Sequence, residues 1–363
     1  MDKHAQAADK AWHSSPRMTD VAKLAGVATS TVSRALANPG RVNEETRRRI
    51  AAAAEQLGYI PNTAARNLRV GRSTIVLAAL PGPSMIFGAS QIIPAVLQGL
   101  ASTVAEGGFD LIFSNRNSPA AARHVVDLAF GGTVRGVVVL GAADLPAYGS
   151  RSLADAGIPV VSLLTDRSAA GIPSVVTNDR AAMREGVLHL IALDHRSFFY
   201  IAGESGNYHE VERFSGLLDA LAVVGLSDRA VIRHGGHLGF NEGFQNGVEA
   251  AHAYLALALA RRPTAAVCCA DDAAISFIGT VRSNGVAVPE DVSIIGFDGA
   301  AVGAFCVPPL TTLEQPAEDL GAQAARIMLD LLGGAAMPAP KTTVPSRLLL
   351  RASTATPSGR SER

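Results

Sequence analysis

The chain has 363 residues, 48% of them hydrophobic, enough to build a large core beyond any small terminal module. No apolar run approaches the roughly 20 residues that span a bilayer. Three cysteines make no disulfide framework, and residues 1–15 are polar with no apolar signal segment, so a reducing cytoplasm is the expected location.

The formal net charge is zero, but it is unevenly distributed. Residues 16–72 hold ten cations against four acids, a net of +6, while residues 73–363 hold 20 cations against 26 acids, a net of −6. A basic head on an acidic body suits phosphate binding by the head, because Lys and Arg displace condensed counterions from a duplex.

In chain order, the first predicted element is a helix over about 19–25, with Val21, Leu24 and Ala25 on one face, ended by Gly26. A second helix is predicted over 29–37. Val32 and Leu36 would face inward there, while Thr29, Ser30, Ser33 and Arg34 face away. Two short helices joined by a glycine turn form a helix-turn-helix, whose second helix enters the DNA major groove. Asn43 is a good N-cap for a third helix over 44–57, whose Ile50, Ala54 and Leu57 would close a three-helix core.

The spacing of Asp20-Val21-Ala22, Ala25-Gly26-Val27, Thr31-Val32-Ser33-Arg34, Thr46-Arg47, Leu57-Gly58-Tyr59, Pro61-Asn62, Ala65-Arg66 and Leu68 resembles the N-terminal signature of the LacI/GalR family of bacterial transcription repressors. The resemblance implies DNA contacts at Thr19, Thr29, Ser30, Ser33 and Arg34, with Arg34 suited to bidentate bonding to a guanine. It also implies a hinge helix over about 62–72 that folds on operator DNA. There Asn62 and Arg66 would contact DNA, Ala65 would pack against the dimer mate, and Leu68 would wedge into the minor groove to kink the duplex. Alone, Leu68 reads as an ordinary linker leucine. Two positions depart from the pattern: Ala28 stands where Ser or Thr usually caps the recognition helix, and Ala37 where Asn is common.

Beyond residue 73 strands and helices alternate. Apolar runs at 75–80, 109–113, 136–140, 159–163, 198–202, 265–269 and 292–297 are separated by helical stretches such as 92–105, 181–193, 211–224 and 273–284. Short apolar strands between helices predict parallel sheets covered on both faces, in two doubly wound lobes. A ligand would then sit at the carboxyl ends of the strands.

This body also resembles the family's periplasmic-binding-protein-like effector domain, most specifically over residues 288–298 and 308–316. The implied organisation is a disordered tail over 1–16, an all-α helix-turn-helix headpiece over 17–61, the hinge over 62–72, and an α/β two-lobed effector and dimerisation domain over 73–354. The chain would cross between lobes three times, giving an N-lobe of about 74–173 plus 315–335 and a C-lobe of about 174–314 plus 336–354. Residues 355–363 would be a polar tail without the leucine heptads of a coiled coil.

Asp166, Arg213, Asp271, Asp298 and, less clearly, Gln315 match positions where family members bind effector groups. Charged donors and acceptors suit a polyhydroxyl ligand such as a sugar. Phe87 falls where a ligand-stacking aromatic is common, and Phe240 and Phe244 compete for such a place in the C-lobe.

The expected function is a ligand-controlled repressor that binds a near-palindromic operator as a homodimer, with no cofactor and no membrane partner. The other class to weigh is a small-molecule binding protein or sugar-processing enzyme with an idle head. No dinucleotide fingerprint, P-loop or zinc-protease motif supports that class. His234 and His237 read as a solvated loop rather than metal ligands, and Cys268 and Cys269 as strand residues.

Overall fold

A computed structural model describes residues 16–37, 39–59, 73–81, 92–116, 118–141, 144–237 and 243–358. The chain forms two compact units, Met1–Arg72 and Ser73–Arg363.

In the first unit, α1 spans Met18–Ala25, α2 Thr29–Ala37 and α3 Glu44–Leu57. The Arg17 amide donates to Asp20 Oδ2 at 2.8 Å, which occupies one of the donors left open at the start of α1. Gly26, at φ 63°, turns the chain out of α1 in a left-handed conformation that an L side chain resists. Asn43 accepts the Thr46 amide at 2.9 Å and so caps α3.

The core of this unit is Val21, Ala22, Ala25, Val32, Ala35, Ile50 and Ala53. The expectation for Leu24 needs correcting. It is 46% exposed, because the buried face of α1 is centred between Val21, Ala22 and Ala25, and Leu24 lies about a quarter-turn away. Likewise Ala53 and Ala35 are fully buried, while Ala54, Leu57 and Leu36 only pack against the core's edge.

The second unit contains two six-stranded sheets. In the N-lobe the strands are β1 (Ile75–Leu80), β2 (Asp110–Asn115), β3 (Gly136–Leu140), β6 (Val160–Leu163), β7 (Ser174–Thr177) and β13 (Lys341–Val344). They lie parallel in the order β13-β7-β6-β3-β1-β2. A small hairpin of β4 (Ala147–Tyr148) and β5 (Arg151–Ser152) stands apart from this sheet. The C-lobe sheet contains β8 (Phe198–Ala202), β9 (Val231–Gly235), β10 (Ala265–Cys268), β11 (Ser293–Asp298), β12 (Thr311–Glu314) and β14 (Arg347–Leu349). Its order is β14-β12-β11-β10-β8-β9, and only β14 runs antiparallel.

Both faces of each sheet carry apolar clusters. In the N-lobe, α4 (Ile92–Glu106) and α10 (Ala317–Leu332) pack together, with α5 (Pro119–Phe130) elsewhere in the lobe. In the C-lobe the pairs are α6 (Asp179–Ala192) with α7 (Tyr208–Val223), and α8 (Gly243–Ala256) with α9 (Asp271–Ser283).

The chain passes from one lobe to the other between Thr177 and Asp179, between Glu314 and Ala317, and between Val344 and Arg347. Two expected boundaries are therefore corrected. Ser174–Thr177 and Lys341–Val344 belong to the N-lobe sheet, because β7 pairs with β6 and β13 adds to β7 from Lys341↔Ser174 to Val344↔Thr177. Ser346 donates its amide to Asn178 Oδ1 at 2.7 Å and so ties the first crossing to the third.

The helix pairs are close because glycines face their partners' backbones. A Cβ on Gly321 would lie 1.9 Å from the Val96 carbonyl oxygen, and one on Gly99 2.0 Å from that of Glu318. Gly321→Ala should therefore push α10 off α4 and lower the unfolding free energy by about 1–3 kcal/mol. An unchanged urea midpoint would show that the pair adjusts without strain.

Candidate functional site

The first candidate site is the exposed face of α2. Thr29, Ser30 and Arg34 are exposed and Ser33 is half-buried, while Val32 and Ala35 point into the core. Ser30 and Arg34 lie four residues apart, so both project from the face opposite Val32. Thr19 is exposed on the first turn of α1.

Arg17, Lys23, Arg34, Arg41, Arg47, Arg48 and Arg49 are all exposed in this unit. Two of these cations also have partners within the unit. Arg49 Nη2 donates to the Ala25 carbonyl at 2.9 Å and locks α3 onto the end of α1, and Arg48 pairs with Glu44 at 2.6 Å. Ala28 serves α2 through its carbonyl, which accepts from Thr31 and Val32. Asn62, Ala65, Arg66 and Leu68 lie outside the described residues.

The second candidate site is the cleft between the lobes, where a cavity of about 610 Å³ opens. It is lined from the N-lobe by Ile92, Ala95 and the first turn of α10, and from the C-lobe by Asp298–Ala301 and Glu314. Of the expected effector residues, Asp298 and Gln315 line it.

Asp298 ends β11 with φ at 126°, a backbone conformation that is costly for a side chain with a Cβ. Gln315 holds it there by donating its amide to the Asp298 carbonyl at 3.1 Å and its Nε2 to Oδ1 at 2.6 Å. Gln315 Oε1 is buried with no partner among the described residues. Burial pushes the Asp298 carboxyl up to about 8, with Arg213 opposing the shift and Asp271 and Asp272 adding to it.

Arg213, on α7, sits behind this carboxyl. Its Nε donates to Asp179 Oδ1 at 2.7 Å, Nη1 donates to the Cys269 carbonyl and lies 3.7 Å from Asp298 Oδ1, and its guanidinium stacks 3.7 Å over the Phe297 ring. Two of its three nitrogens are thus engaged within the lobe. Burial would raise the Asp179 carboxyl, but the charges of Arg213 and His209 outweigh it and hold the group below the usual carboxylate range. The Thr177 hydroxyl donates to Asp179 at 2.6 Å from the end of β7, so the network extends to the first crossing.

Asp271 is 1% exposed. Its two oxygens accept from the Thr312 hydroxyl and the Ala300 amide, both at 2.6 Å, so it clamps the loop after β11 to β12 instead of facing the cleft. Burial pushes it up to about 7, against those donors. Asp166 is not brought to the cavity. It pairs with Lys341 at 2.8 Å and accepts from the Ser168 hydroxyl at 2.6 Å, both in the N-lobe.

Phe87 and Phe240 lie outside the described residues, and Phe244 is 44% exposed at the start of α8. His234 is a residue of β9 stacked on Phe199, not part of a solvated loop, and His237 pairs with Glu249 at 3.1 Å. Cys268 ends β10 and Cys269 follows it, both buried. Among the described residues, no group of three His, Cys, Asp or Glu side chains is placed to hold a metal ion. No helix of the described residues is long and apolar enough to cross a membrane.

Sequence reading missed Asp179 and Glu210. Glu210 is 4% exposed and accepts from Tyr200, Gly203 and Arg233. The available signal was an acid in the first turn of each of α6 and α7, but an acid there equally reads as a helix cap.

Comparison with known proteins accounts for both sites together. Residues 17–62 match the family model of bacterial regulatory proteins, lacI family, and residues 187–354 match that of a periplasmic binding protein-like domain. The HTH-type transcriptional repressor CytR of Escherichia coli is 30% identical over 346 residues, covering 93% of this chain and 96% of its own. The HTH-type transcriptional regulator CelR of Thermobifida fusca is 29% identical, covering 92% and 95%.

Among solved structures, a transcriptional regulator CelR–cellobiose complex is similar with a TM-score of 0.65 and 26% identity, covering 93% of this chain and 99% of the other. A lac repressor dimer bound to operator and an anti-inducer shares the fold, with a TM-score of 0.77 at 24% identity and coverages of 94% and 99%. Because headpiece and lobes are matched together, end to end, in a repressor of 30% identity, this chain belongs to the lacI family of bacterial regulatory proteins.

Proposed function

We propose that the protein is a transcriptional repressor with no enzymatic activity, acting in the cytoplasm as a homodimer on a near-palindromic operator and controlled by a polyhydroxyl small molecule bound between its lobes. The observation that carries this reading is the cationic headpiece, which presents Thr29, Ser30 and Arg34 outward from its second helix. Phosphate contacts would supply affinity and these side chains would select bases. Asn62, Ala65, Arg66 and Leu68 would form the hinge, with Leu68 as the wedge.

The cleft supports the effector half of the reading. Asp298 and Gln315 offer acceptors at its wall, and Gln315 Oε1 in particular has no donor among the described residues. Arg213 would hold Asp298 in place, and Phe87 would supply a stacking face. In the related CelR complex the ligand is cellobiose. Effector binding couples to DNA binding through its differential affinity for two arrangements of the lobes.

A gel-shift titration with duplexes from the protein's own upstream region tests this reading. Binding should weaken steeply as salt rises from 50 to 200 mM, by on the order of 10³-fold or more. A flat response would contradict it.

The cleft should also show proton linkage. A carboxyl raised to about 8 is protonated at neutral pH in the unliganded protein, so its contribution to stability is complete below about 3.8 and is lost as pH rises through about 8. Ligand hydroxyls donate to the ionised form. Effector affinity should therefore climb by up to about tenfold per pH unit below 8 and level off above it. Asp298→Asn should flatten that profile in calorimetric titrations, and a wild-type profile already flat would remove Asp298 from the site.

A further inference from the structure

The wall of the cleft is one-sided in charge. Of the side chains lining the cavity between the lobes, Asp298, Glu314, Glu318 and Asp319 are acids, and Arg347 is the one cation among the described residues. Arg347 is taken by Glu314, its partner across the β12–β14 pair, to which its Nε donates. Behind the wall, Arg213 faces Asp298 at 3.7 Å and is otherwise engaged with Asp179 and the Cys269 carbonyl. Setting Glu314 against Arg347 and Asp298 against Arg213 leaves Glu318 and Asp319 without a counter-cation. Both are exposed, and neither carboxylate makes a hydrogen bond or ion pair among the described residues.

Helix capping accounts for part of this. Glu318 and Asp319 lie in the first turn of α10, where an acid is favoured by the positive end of the helix. It does not account for the C-lobe bringing Asp298 and Glu314 to the same cavity, nor for Gln315.

Gln315 lines that cavity and is 6% exposed. Its Nε2 is spent on Asp298 Oδ1, while its Oε1 is buried with no partner among the described residues. A buried acceptor without a donor is costly, and a ligand that donates to it removes the cost. The open groups of Gln315, Glu318 and Asp319 are all acceptors, so what the wall lacks is a donor, and its charge favours a cationic one.

We infer that the effector carries a protonated amino group, which binds between the first turn of α10 and the loop after β11. This rests on the reading of the cleft as an effector site, and it narrows the ligand from polyhydroxyl compounds in general to aminated ones, such as an amino sugar. An ammonium group has three donors and no acceptor, so it complements Gln315 Oε1 and the carboxylates together. A hydroxyl could satisfy Gln315 but would leave the field of the acids unused. Because Glu318 and Asp319 are exposed, their attraction acts through solvent and is screened beyond about 10 Å at 0.1 M salt, so the preference for a cation should depend on salt.

The test follows thermal unfolding of the full chain at about pH 6.5, where amino groups carry a proton. The probes are glucosamine and galactosamine, with glucose, galactose and N-acetylglucosamine as neutral counterparts and glucuronate as the acidic control. Each is read against ammonium chloride at the same ionic strength. The Glu318→Gln/Asp319→Asn variant removes both charges while keeping side-chain shape, and each protein is compared with its own baseline, so any loss of helix stability cancels.

For the wild type, the apparent affinity for at least one amino sugar should exceed that for its neutral counterpart by about tenfold or more at about 50 mM salt, narrowing to a few-fold at about 500 mM. In the variant the preference should fall to about twofold or less. Neutral sugars that stabilise the wild type as well as amino sugars do, or glucuronate that stabilises it more, would overturn the inference and leave the effector reading standing. A preference that persists in the variant overturns it too, since these acids would not be its source. If neither amino sugar stabilises the wild type the inference fails, and if no sugar does, the effector reading fails with it.

Discussion

Arg213→Ala should lower the unfolding free energy by about 3–5 kcal/mol, the largest loss expected from a single substitution in the C-lobe. The guanidinium is 8% exposed and bridges Asp179, which is fully buried, and Asp298, so its removal strands a carboxylate that burial alone would force to protonate. Thr177 and His209 remain as hydrogen-bond partners for Asp179, but neither replaces the guanidinium. Asp179→Asn in the Arg213→Ala background should recover part of the loss. Chemical denaturation of the two variants beside wild type checks this, and additive losses would mean that the pair is not coupled. Arg213→Lys keeps a charge without the two-pronged geometry, so it should fold while losing effector-induced stabilisation.

Arg34→Ala should reduce specific operator binding by roughly 10- to 100-fold, equivalent to one bidentate base contact, and leave binding to scrambled duplex within a few-fold of wild type. Arg34 is exposed on α2, and its side chain makes no hydrogen bond or ion pair among the described residues, so folding of the headpiece should not change. Arg47→Ala offers the contrast. An exposed cation on α3 would contact phosphate, so its loss should weaken all duplexes alike and flatten the salt slope by about one unit. Fluorescence anisotropy on matched and scrambled duplexes separates the two, and equal losses on both for Arg34→Ala would remove it from base reading.

Much of this molecule could be read in the chain. The helices of the headpiece and strands β1, β3 and β8 stand out because uninterrupted apolar runs are bounded by polar residues or glycines. The errors have common physical origins. Spacing alone places Leu24 inward, but alanines at 22 and 25 set where the face of α1 is centred. β7 and β13 are four-residue strands at one end of a sheet, and Lys341-Thr342-Thr343 offers no apolar run, since an edge strand needs burial on only part of its surface.

The candidate site was legible where a residue type and a strand end coincide, as at Asp298. It was not legible where the partner comes from elsewhere in the chain. Nothing local tells that Asp179 waits for Arg213 across 34 residues, that Asp271 is consumed by Thr312 and Ala300, or that Lys341 removes Asp166 from the cleft.

Reading of DNA by a basic helical module on behalf of an acidic two-lobed sensor is the division of labour expected of this molecule. Its most direct test is a titration of the purified full chain against a duplex from its own upstream region and a scrambled duplex of the same composition, at 150 mM salt. Preference for the upstream duplex by about 10³-fold or more, lost when Arg34 and Ser30 are both changed to alanine, is the outcome this structure supports. Equal affinity for the two duplexes, with and without sugars and sugar acids, would contradict it.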